Sequence, residues 1–585
     1  MTRRLVLPLL LVLAACGRAG TGTVAPVAGP DIPSRQAPTF PDAWAFPVGA
    51  DSVAVFAPRA MVVSNTTQSS EAGLEVMQRG GNAVDAAVAT AFALLVTHPE
   101  AGNIGGGGYM VVRMADGRTA ALDYRETAPA SASRDMYVGP DGRLTRESLV
   151  GYRASGVPGA VAGLAAAQAR LGKLPWAETL APAIRLAEEG FVVDEDFHRS
   201  LRNDRELISQ FAGGPAFFPG GETPAVGSVF RQPVLARTLR ILAAEGARAF
   251  YEGEIADSIA AEFARGGGNI TKADLAAYRP AWREPVRADY RGFTLLSMPP
   301  SSSGGVTIAE TLNILETFPS LPRFGTAAYT HLLASAFQRA FVDRNGKLGD
   351  PDFVAVPVAE LTSDEYARRV AATIDLRRAT PTMSLPGARL VESTETTHYS
   401  VVDAAGNAVA TTTTINGLYG SGVYVAGAGF FMNNEMDDFA ARPGEPNQFG
   451  LVQGEQNAIA PGKRMLSAMS PTIVLDPRGT LLLVVGGRGG PRIITGTAQV
   501  ILNVIEHDMT LADAMHAPRI HHQALPDVIR YEENGLAPDA LESLRAMGWE
   551  LRPGAATGSI NAIMAVAGGY QGVSEPRSYG GAVGY

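Results

Sequence analysis

Hydrophobic and β-branched positions point first to a hairpin in the C-terminal third of the chain. Two such runs, residues 396–403 and 408–415, flank the turn-forming stretch Ala404-Ala405-Gly406-Asn407. Gly and Asn tolerate the positive φ that tight turns need, so this pattern predicts two paired antiparallel strands. A turn centred in the middle of that stretch places Thr396 opposite Ile415, with Thr414 beside it. Threonine is also simply a good strand former, so the hydroxyls alone do not establish a site.

Further elements are predicted upstream of the hairpin. Residues 82–98, rich in Ala and Val, are typical of a buried helix, and residues 109–114 of a strand. The glycines at 105–108 lie between them. Dinucleotide and P-loop sites run in the order strand, glycine loop, helix, and a P-loop continues with Gly-Lys-Ser/Thr. Here the order is reversed and that sequence is absent, so we interpret these glycines as positions of close backbone packing. Helix-like segments at 160–170, 233–244 and 327–344 alternate with turns.

A second glycine-rich turn has the order that the first one lacks. Residues 480–485 predict a buried strand, residues 486–491 a turn and residues 493–507 a helix. Backbone N–H groups are free at such a helix start and attract negative charge. No Lys-Ser/Thr pair follows, so a phosphate site is not indicated. An oxyanion hole would use the same fixed dipoles.

The N-terminus predicts export. Arg3-Arg4 precede an apolar run at residues 5–13, which is far shorter than the roughly 20 residues of a spanning helix. Leu13-Ala14-Ala15-Cys16 resembles a bacterial lipobox, in which the cysteine is acylated and becomes the new N-terminus. The alternative is an ordinary cleavage site near a chance cysteine. We expect a signal peptide at residues 1–15, a flexible tether at 16–50, and an exported periplasmic or cell-surface lipoprotein that Cys16 anchors to the membrane.

Composition narrows the possible partners. Hydrophobic residues make up 46% and charged residues 18% of the chain, enough apolar content for a large core. The net charge of −9 argues against a nucleic-acid partner, because phosphate binding needs a basic face. Cys16 is the only cysteine, so an intramolecular disulfide cannot form. The acidic residues at 433–439 lack calcium-loop spacing and no His completes a zinc set, so neither a metal nor a cofactor is expected.

Several motifs, in the same order, resemble those of one family. Thr396-Thr397-His398-Tyr399-Ser400-Val401-Val402-Asp403 is similar to the start of the small subunit in γ-glutamyltranspeptidases, which belong to the N-terminal-nucleophile hydrolase superfamily. The other matching motifs are Asp123-Tyr124-Arg125-Glu126-Thr127-Ala128-Pro129, Gly156-Val157-Pro158-Gly159, Asn434-Glu435-Met436-Asp437-Asp438-Phe439, Met469-Ser470-Pro471-Thr472 and Gly489-Gly490-Pro491-Arg492-Ile493-Ile494-Thr495. Such an ordered set is hard to obtain by chance, and the chain is identified as a member of this family.

The resemblance implies an α/β (α+β) fold, the four-layer αββα sandwich of N-terminal-nucleophile hydrolases. It also implies that the precursor cuts itself between Glu395 and Thr396, into a large subunit at residues 51–395 behind the tether and a small subunit at residues 396–585. The new α-amine of Thr396 then serves as base for its own hydroxyl, which is why the nucleophile must be N-terminal. Thr414 would orient the amine or hydroxyl, and Gly489 and Gly490 would form the oxyanion hole.

The substrates implied are glutathione and other γ-glutamyl compounds, with water or the amine of an amino acid or peptide as acceptor. By resemblance, Arg125 grips the α-carboxylate of the γ-glutamyl group, a role that suits the bidentate guanidinium. Glu435 and Asp438 are assigned to its α-ammonium. The remaining matches are Ser467 and Asn416 at substrate-binding positions and a lid loop at residues 440–450 that includes Phe449.

Two departures from the family pattern predict a bias toward hydrolysis. Many members bind the α-carboxylate with two consecutive serines, but here Ala468 follows Ser467. Many bacterial members have a lid tyrosine whose hydroxyl reaches the asparagine matched by Asn416, and Phe449 has no hydroxyl to offer. Arg488, in the glycine turn, is expected to restore part of the lost carboxylate contact.

Two alternatives stay open. An acylase of the same fold would act on glutaryl or cephalosporin side chains, although a glutaryl group has no α-amine for Asp438 to hold. A non-catalytic surface lipoprotein would keep the fold for binding only. The intact Thr396, Thr414 and Gly489-Gly490 disfavour that second alternative.

Overall fold

Two antiparallel sheets of seven strands each lie face to face at the centre of the molecule. The computed structural model describes residues 54–102, 104–385, 396–444, 453–554, 558–578 and 580–585. Sheet I has the strand order Gly581–Gly584, Met61–Ser64, Thr397–Val402, Ala408–Thr414, Gly107–Arg113, Thr119–Asp123 and Ala281–Arg283. Sheet II has the order Val55–Ala57, Gly569–Val573, Ser559–Val566, Leu481–Arg488, Thr472–Leu475, Phe293–Ser297 and Val286–Tyr290. The segments before and after Thr396 contribute strands to both sheets.

An apolar layer fills the space between the sheets. Side chains alternate between the two faces of a strand, and Tyr109 and Val111 of sheet I lie in this layer with Val484 of sheet II. Their sequence neighbours Met110 and Val112 face the other way, toward the helices. Because both faces of the central strands are covered, their residues are buried continuously rather than in alternation.

Helices cover the outer face of each sheet. The layer on sheet I contains Thr67–Gln78, Ala83–Thr97 and Ala160–Leu171, with Trp176–Glu189 and Pro233–Glu245 packed outside it. The layer on sheet II contains Gly304–Glu316 and Arg492–Ile505, with Ala327–Lys347 packed against the first of these. The order helix, sheet, sheet, helix confirms the predicted αββα sandwich.

Shorter elements connect these layers. The remaining α-helices are Glu195–Asn203, Arg205–Gln210, Gly214–Phe217, Arg248–Tyr251, Glu254–Gly266, Lys272–Ala277, Val358–Leu361, Asp364–Ala371, Leu511–His516 and Pro538–Ala546. The remaining strands pair as Phe191–Val192 with Val229–Phe230, Tyr424–Val425 with Phe430–Phe431, and Ile520–His521 with Val528–Glu532 and Glu550–Gly554. The 3₁₀ turns are Pro219–Gly221, Thr382–Ser384, Glu435–Asp438 and Glu455–Asn457. Among the described residues, no helix combines the length and the apolar content that a membrane span requires.

The helix predicted at residues 82–98 is confirmed as Ala83–Thr97 and is buried along its whole length. A reciprocal capping box explains where it starts. The Asn82 side chain accepts a hydrogen bond from the N–H of Asp85 at 3.1 Å, and the Asp85 carboxylate accepts one from the N–H of Asn82 at 2.9 Å. Each bond satisfies a donor that a helix start would otherwise leave unpaired.

The glycines at 105–108 lie where two backbones approach closely, as predicted. A Cβ on Gly106 would overlap the carbonyl oxygen of Thr414, and a Cβ on Gly108 would overlap that of Thr412. Glycine therefore allows the strand Gly107–Arg113 to pair with the second strand of the hairpin.

The strand predicted at residues 480–485 is longer than expected and runs from Leu481 to Arg488. Gly486 and Gly487 are strand residues. A Cβ on Gly486 would overlap the ring of His398 in the facing sheet, so glycine is needed at this position. Only Gly489-Gly490-Pro491 form the turn before the next helix. Glycine in a strand marks close approach, and the sequence pattern does not distinguish it from glycine in a turn.

The hairpin register differs by one residue from the prediction. Asp403 Oδ1 accepts hydrogen bonds from the N–H groups of Ala405 at 2.9 Å and Asn407 at 3.0 Å, which closes a three-residue loop. Thr397 consequently pairs with Thr413. The position of Thr396 is therefore in line with Thr414, and the predicted pairing of Thr396 with Ile415 is wrong.

Candidate active site

A small pocket lies at the start of the strand Thr397–Val402. Thr396, the residue before this strand, is only 4% exposed. Of the predicted site residues that the structure describes, all but Gly489 and Arg488 line the pocket. The complete lining is Arg125, Arg344, Thr396, Thr414, Asn416, Glu435, Asp438, Ser467, Ala468, Met469, Gly490, Pro491 and Ile493.

The hydroxyl of Thr414 is oriented by the residues that follow it. The N–H of Asn416 donates to Thr414 Oγ1 at 2.7 Å, and Asn416 Nδ2 donates to the carbonyl of Asn434 at 3.0 Å. Asn416 has a φ of 72°, a left-handed conformation that Asn tolerates better than most residues. Because Thr414 Oγ1 accepts this bond, its own proton can be donated to a group in the pocket, and the Glu435 carboxylate is within its reach.

Gly489 and Gly490 turn the chain from the strand into the helix Arg492–Ile505. Their φ values are 123° and 56°, in the left-handed region that favours glycine. Gly490 lines the pocket, whereas a Cβ on Gly489 would lie 3.1 Å from the Cα of Gly558. The turn brings Gly490 to the pocket, and Gly489 packs against the neighbouring backbone. N–H groups at such a helix start can stabilise an oxyanion.

Arg125 is buried, with 1% of its surface exposed, among three carboxylates. Its Nη1 lies 2.7 Å from Glu435 Oε2 and 3.6 Å from Glu126 Oε2. Its Nη2 donates to the carboxylate of Asp438, and its Nε donates to the carbonyl of Met465 at 3.4 Å. All three guanidinium nitrogens therefore already have partners within the protein.

Burial opposes the ionisation of the carboxylates in this cluster. Burial raises the pKa of Glu126 to about 8, although Arg125 opposes the shift. Burial also raises the pKa of Glu435 well above its ordinary value, and raises that of Asp438. For Arg125, burial opposes the charge, but the carboxylates of Glu435 and Asp438 raise its pKa. Glu435 Oε2 is already paired with Arg125 Nη1, and Glu435 lines the pocket, where its carboxylate suits a cationic ligand.

The segment Ser467-Ala468 forms another part of the lining. The carbonyl of Ser467 accepts hydrogen bonds from the N–H of Ser303 at 2.8 Å and from its hydroxyl at 2.5 Å, which fixes the backbone. The Ser467 hydroxyl accepts from the N–H of Met469 at 3.1 Å and keeps its proton for a ligand. Ala468 lines the same pocket and has no hydroxyl to add.

Arg488 is not part of this pocket, and the prediction that it replaces the missing carboxylate contact is wrong. It lines a separate cavity together with Glu100, Leu418 and Arg577. Burial opposes the charge of Glu100 there, but His98, with a smaller contribution from Arg488, lowers the pKa of Glu100. The physical reason is the length of the strand. The strand continues through Arg488, so this residue precedes the turn at Gly489-Gly490, and its side chain lines the other cavity.

Two residues that sequence reasoning missed belong to the site. Glu126 directly follows Arg125 in a matching motif and lies beside its guanidinium. Arg344, which is 1% exposed, lines the pocket from the helix Ala327–Lys347. Nothing in the sequence connects the helix that carries Arg344 to Thr396.

Three predicted residues, Glu395, Phe449 and Cys16, lie outside the described residues. Within the described ranges, no group of three or more His, Cys, Asp or Glu side chains is arranged to hold a metal ion.

Comparison with known proteins places this geometry in a family. The family model for gamma-glutamyltranspeptidase matches residues 69–585. The chain belongs to the gamma-glutamyltranspeptidase family. Both the predicted family and the N-terminal-nucleophile hydrolase fold are confirmed.

Relatives of this gamma-glutamyltranspeptidase family member carry two kinds of name. The glutathione hydrolase proenzyme of Escherichia coli (strain K12) is 45% identical over 531 residues, covering 90% of this chain and 91% of that protein. The acylase ACY 1 proenzyme of Pseudomonas sp. (strain V22) is 40% identical over 516 residues, covering 86% of this chain and 89% of that protein. The crystal structure of a cephalosporin acylase from Bacillus halodurans superposes with a TM-score of 0.81 at 30% identity, covering 94% of this chain and 99% of that chain.

Proposed function

We propose that this protein is a self-processing glutathione hydrolase, which cleaves γ-glutamyl amides through an acyl-enzyme on Thr396. The main support is that Thr396 shares one pocket with Thr414, Gly490 and buried charges of both signs. A γ-glutamyl group has both an ammonium and a carboxylate on its α-carbon, so a pocket with both kinds of charge suits it. The glutathione hydrolase proenzyme of E. coli supports the same assignment.

Self-cleavage between Glu395 and Thr396 would create the nucleophile. Before the cut, the nitrogen of Thr396 is part of an amide and cannot accept a proton. After it, residues 16–395 and 396–585 are separate chains with a free amine on Thr396. Both segments supply strands to both sheets, so we expect the two subunits to stay assembled.

In the proposed reaction the α-amine of Thr396 takes the proton from its own hydroxyl, and the hydroxyl oxygen attacks the γ-carbonyl carbon. The carbonyl electrons move onto oxygen, where the N–H groups of the Gly489-Gly490 turn stabilise the negative charge. As the C–N bond breaks, the leaving amine receives the proton from the Thr396 ammonium. Water then attacks the ester with the same amine as base, and glutamate leaves. An acceptor amine in place of water would give transpeptidation.

Substrate orientation is assigned to the charged lining residues. We propose that Glu435 and Asp438 accept hydrogen bonds from the α-ammonium and that Arg125 and the Ser467 hydroxyl bind the α-carboxylate. Asn416 would hold the same head group beside Thr414. Charge-assisted bonds of this kind fix the reacting carbonyl over Thr396.

The experiment that tests this function compares two anilides. γ-Glutamyl p-nitroanilide and its glutaryl analogue share the carboxylate and the scissile bond, and only the first has an α-ammonium. We expect the γ-glutamyl compound to be the better substrate by a large factor in kcat/KM. Preference for the glutaryl compound would instead indicate an acylase, and no turnover of either would favour a non-catalytic protein.

The balance between hydrolysis and transfer gives a further prediction. Ala468→Ser should restore a hydroxyl to the pocket and lower KM for the γ-glutamyl anilide by about tenfold or more, since a hydrogen bond to a charged group contributes about 1.5–3 kcal/mol. Phe449→Tyr should raise the ratio of transfer to hydrolysis in the presence of glycylglycine. Steady-state kinetics with and without glycylglycine measure both effects.

The matched control for the serine variant is Ala440→Ser, because Ala440 is also buried but does not line the pocket. It should leave KM unchanged. A strong acceleration of anilide release by glycylglycine in the unmodified enzyme would show that Ala468 and Phe449 do not set the balance.

Membrane anchorage is a separate proposal, supported by the sequence Leu13-Ala14-Ala15-Cys16. Cys16→Ala should release the protein into the soluble fraction or block its maturation. A single acyl chain binds membranes only reversibly, so stable retention implies more than one chain. Extraction of the wild type by salt without detergent would contradict lipidation of Cys16.

A further inference from the structure

Arg344 combines deep burial with an unused hydrogen-bond donor. Its Nε donates to the hydroxyl of Ser303 at 2.9 Å, and its Nη1 donates to Asn345 Oδ1 at 3.0 Å. Its Nη2 has no hydrogen-bond partner among the described residues. A buried guanidinium that lacks part of its hydrogen bonding is costly, so such a group in a pocket calls for a ligand.

The contrast with Arg125 identifies the kind of ligand. All three nitrogens of Arg125 are occupied, and the carboxylate of Asp438 bonds to Arg125. Burial lowers the pKa of Arg344 to about 10, and Asp438 is the charge that opposes this shift. Arg344 is thus the pocket-lining cation whose Nη2 has no hydrogen-bond partner among the described residues, and an anion is the ligand that suits it.

The neighbours of Arg344 place this capacity beside the missing serine. Ser303 accepts a hydrogen bond from Arg344 Nε and donates its own hydroxyl proton to the carbonyl of Ser467. Arg344 is therefore connected through the Ser303 side chain to the Ser467-Ala468 segment. Arg344, Ser467 and Ala468 line the pocket, and Ser303 lies behind them. The position where a second serine hydroxyl would bind a carboxylate is on this segment.

We propose that Arg344 is a specificity-determining residue whose Nη2 binds the α-carboxylate of the donor amino acid, beside the Ser467 hydroxyl and in place of the hydroxyl absent at Ala468. The pocket then has two chemically distinct parts. Glu435 and Asp438 offer acceptors for the ammonium, and Arg344 joins Arg125 and Ser467 as a donor for the carboxylate. This inference rests on the proposed function and identifies the residue that selects an amino-acid head group over a simple amine.

The test uses two donors that differ only in the carboxylate. γ-Aminobutyryl p-nitroanilide keeps the amine and the scissile bond of γ-glutamyl p-nitroanilide and lacks the α-carboxylate. Arg344→Met should raise KM for the γ-glutamyl anilide by about ten- to a hundredfold, as expected for loss of a hydrogen bond to a charged group. KM for the γ-aminobutyryl anilide should not change, because it has no carboxylate to lose.

Two further variants separate binding from a structural effect. Arg339→Met removes another buried arginine from the same helix, one that bonds to Thr373 and does not line the pocket. It should leave the ratio of the two KM values unchanged. Arg344→Lys retains the charge without the forked donors, and should raise KM selectively for the γ-glutamyl anilide even if the methionine variant fails to mature.

The outcomes are distinguishable from a failure of the proposed function. If the wild type does not turn over the γ-glutamyl anilide, the function itself is wrong. If the wild type turns over the γ-glutamyl anilide, the two Arg344 variants test the assignment. Equal increases in KM for the two anilides, or no increase for either, in Arg344→Lys or Arg344→Met would overturn the assignment of Arg344 to the carboxylate.

Discussion

Thr396→Ala should leave the protein as one uncut chain without γ-glutamyl hydrolase activity. The substitution removes the hydroxyl of the residue that follows the proposed cleavage site, and with it the proposed nucleophile of the mature enzyme. Loss of a catalytic nucleophile typically lowers kcat by several orders of magnitude, about a thousandfold or more. Denaturing electrophoresis and N-terminal sequencing detect the cut, and anilide release measures the activity.

Thr397→Val is the matched control for this experiment. Thr397 is the next residue, is fully buried, and its Oγ1 has no hydrogen-bond partner among the described residues. Valine keeps its shape, so this variant should be cut and active. Thr396→Ser keeps a hydroxyl and should be cut. A fully active Thr396→Ala enzyme, or a wild type that is active while uncut, would contradict the mechanism.

Local patterns predicted the elements around Thr396 well. The helix Ala83–Thr97 followed from its Ala- and Val-rich sequence, and the hairpin from its two β-branched runs. The four-layer arrangement came from resemblance to a family, because strand periodicity is weak when both faces of a sheet are buried. The register could not be fixed in the same way. A side-chain carboxylate, that of Asp403, closes a three-residue loop where the sequence allows shorter ones.

Long-range contacts explain what the sequence did not show. Arg488 was expected beside the substrate because its glycine neighbours looked like a turn, and two of those glycines are strand residues that allow the sheets to approach. Arg344 reaches the pocket from a helix far from Thr396 in sequence. The raised pKa of Glu126 depends on burial and on nearby carboxylates from other segments. None of these facts has a local sequence signature.

Substitutions at the charged residues proposed to bind the α-ammonium and the α-carboxylate should have the second largest effect. Asp438→Asn removes one negative charge without changing the shape of the side chain, and Arg125→Ala removes the cation that Asp438 and Glu435 surround. Each leaves a substrate charge unpaired in a buried pocket. Truncating one partner of such a pair typically costs about 2–5 kcal/mol, or about 30-fold to several thousandfold in KM for the γ-glutamyl anilide.

The glutaryl anilide separates the proposed contact with the ammonium from the proposed contact with the carboxylate. It keeps the carboxylate and lacks the ammonium. Asp438→Asn should therefore raise KM for the γ-glutamyl anilide and leave KM for the glutaryl anilide unchanged. Arg125→Ala should weaken both, because both have the carboxylate. Asp437→Asn is the control, since Asp437 is the neighbouring buried acid that bonds to Ser148 and does not line the pocket. Self-cleavage should proceed in all three variants. Normal KM values in both Asp438→Asn and Arg125→Ala would place recognition of the γ-glutamyl group elsewhere. Equal increases in KM for the two anilides in Asp438→Asn would mean that Asp438 supports Arg125 and does not bind the ammonium.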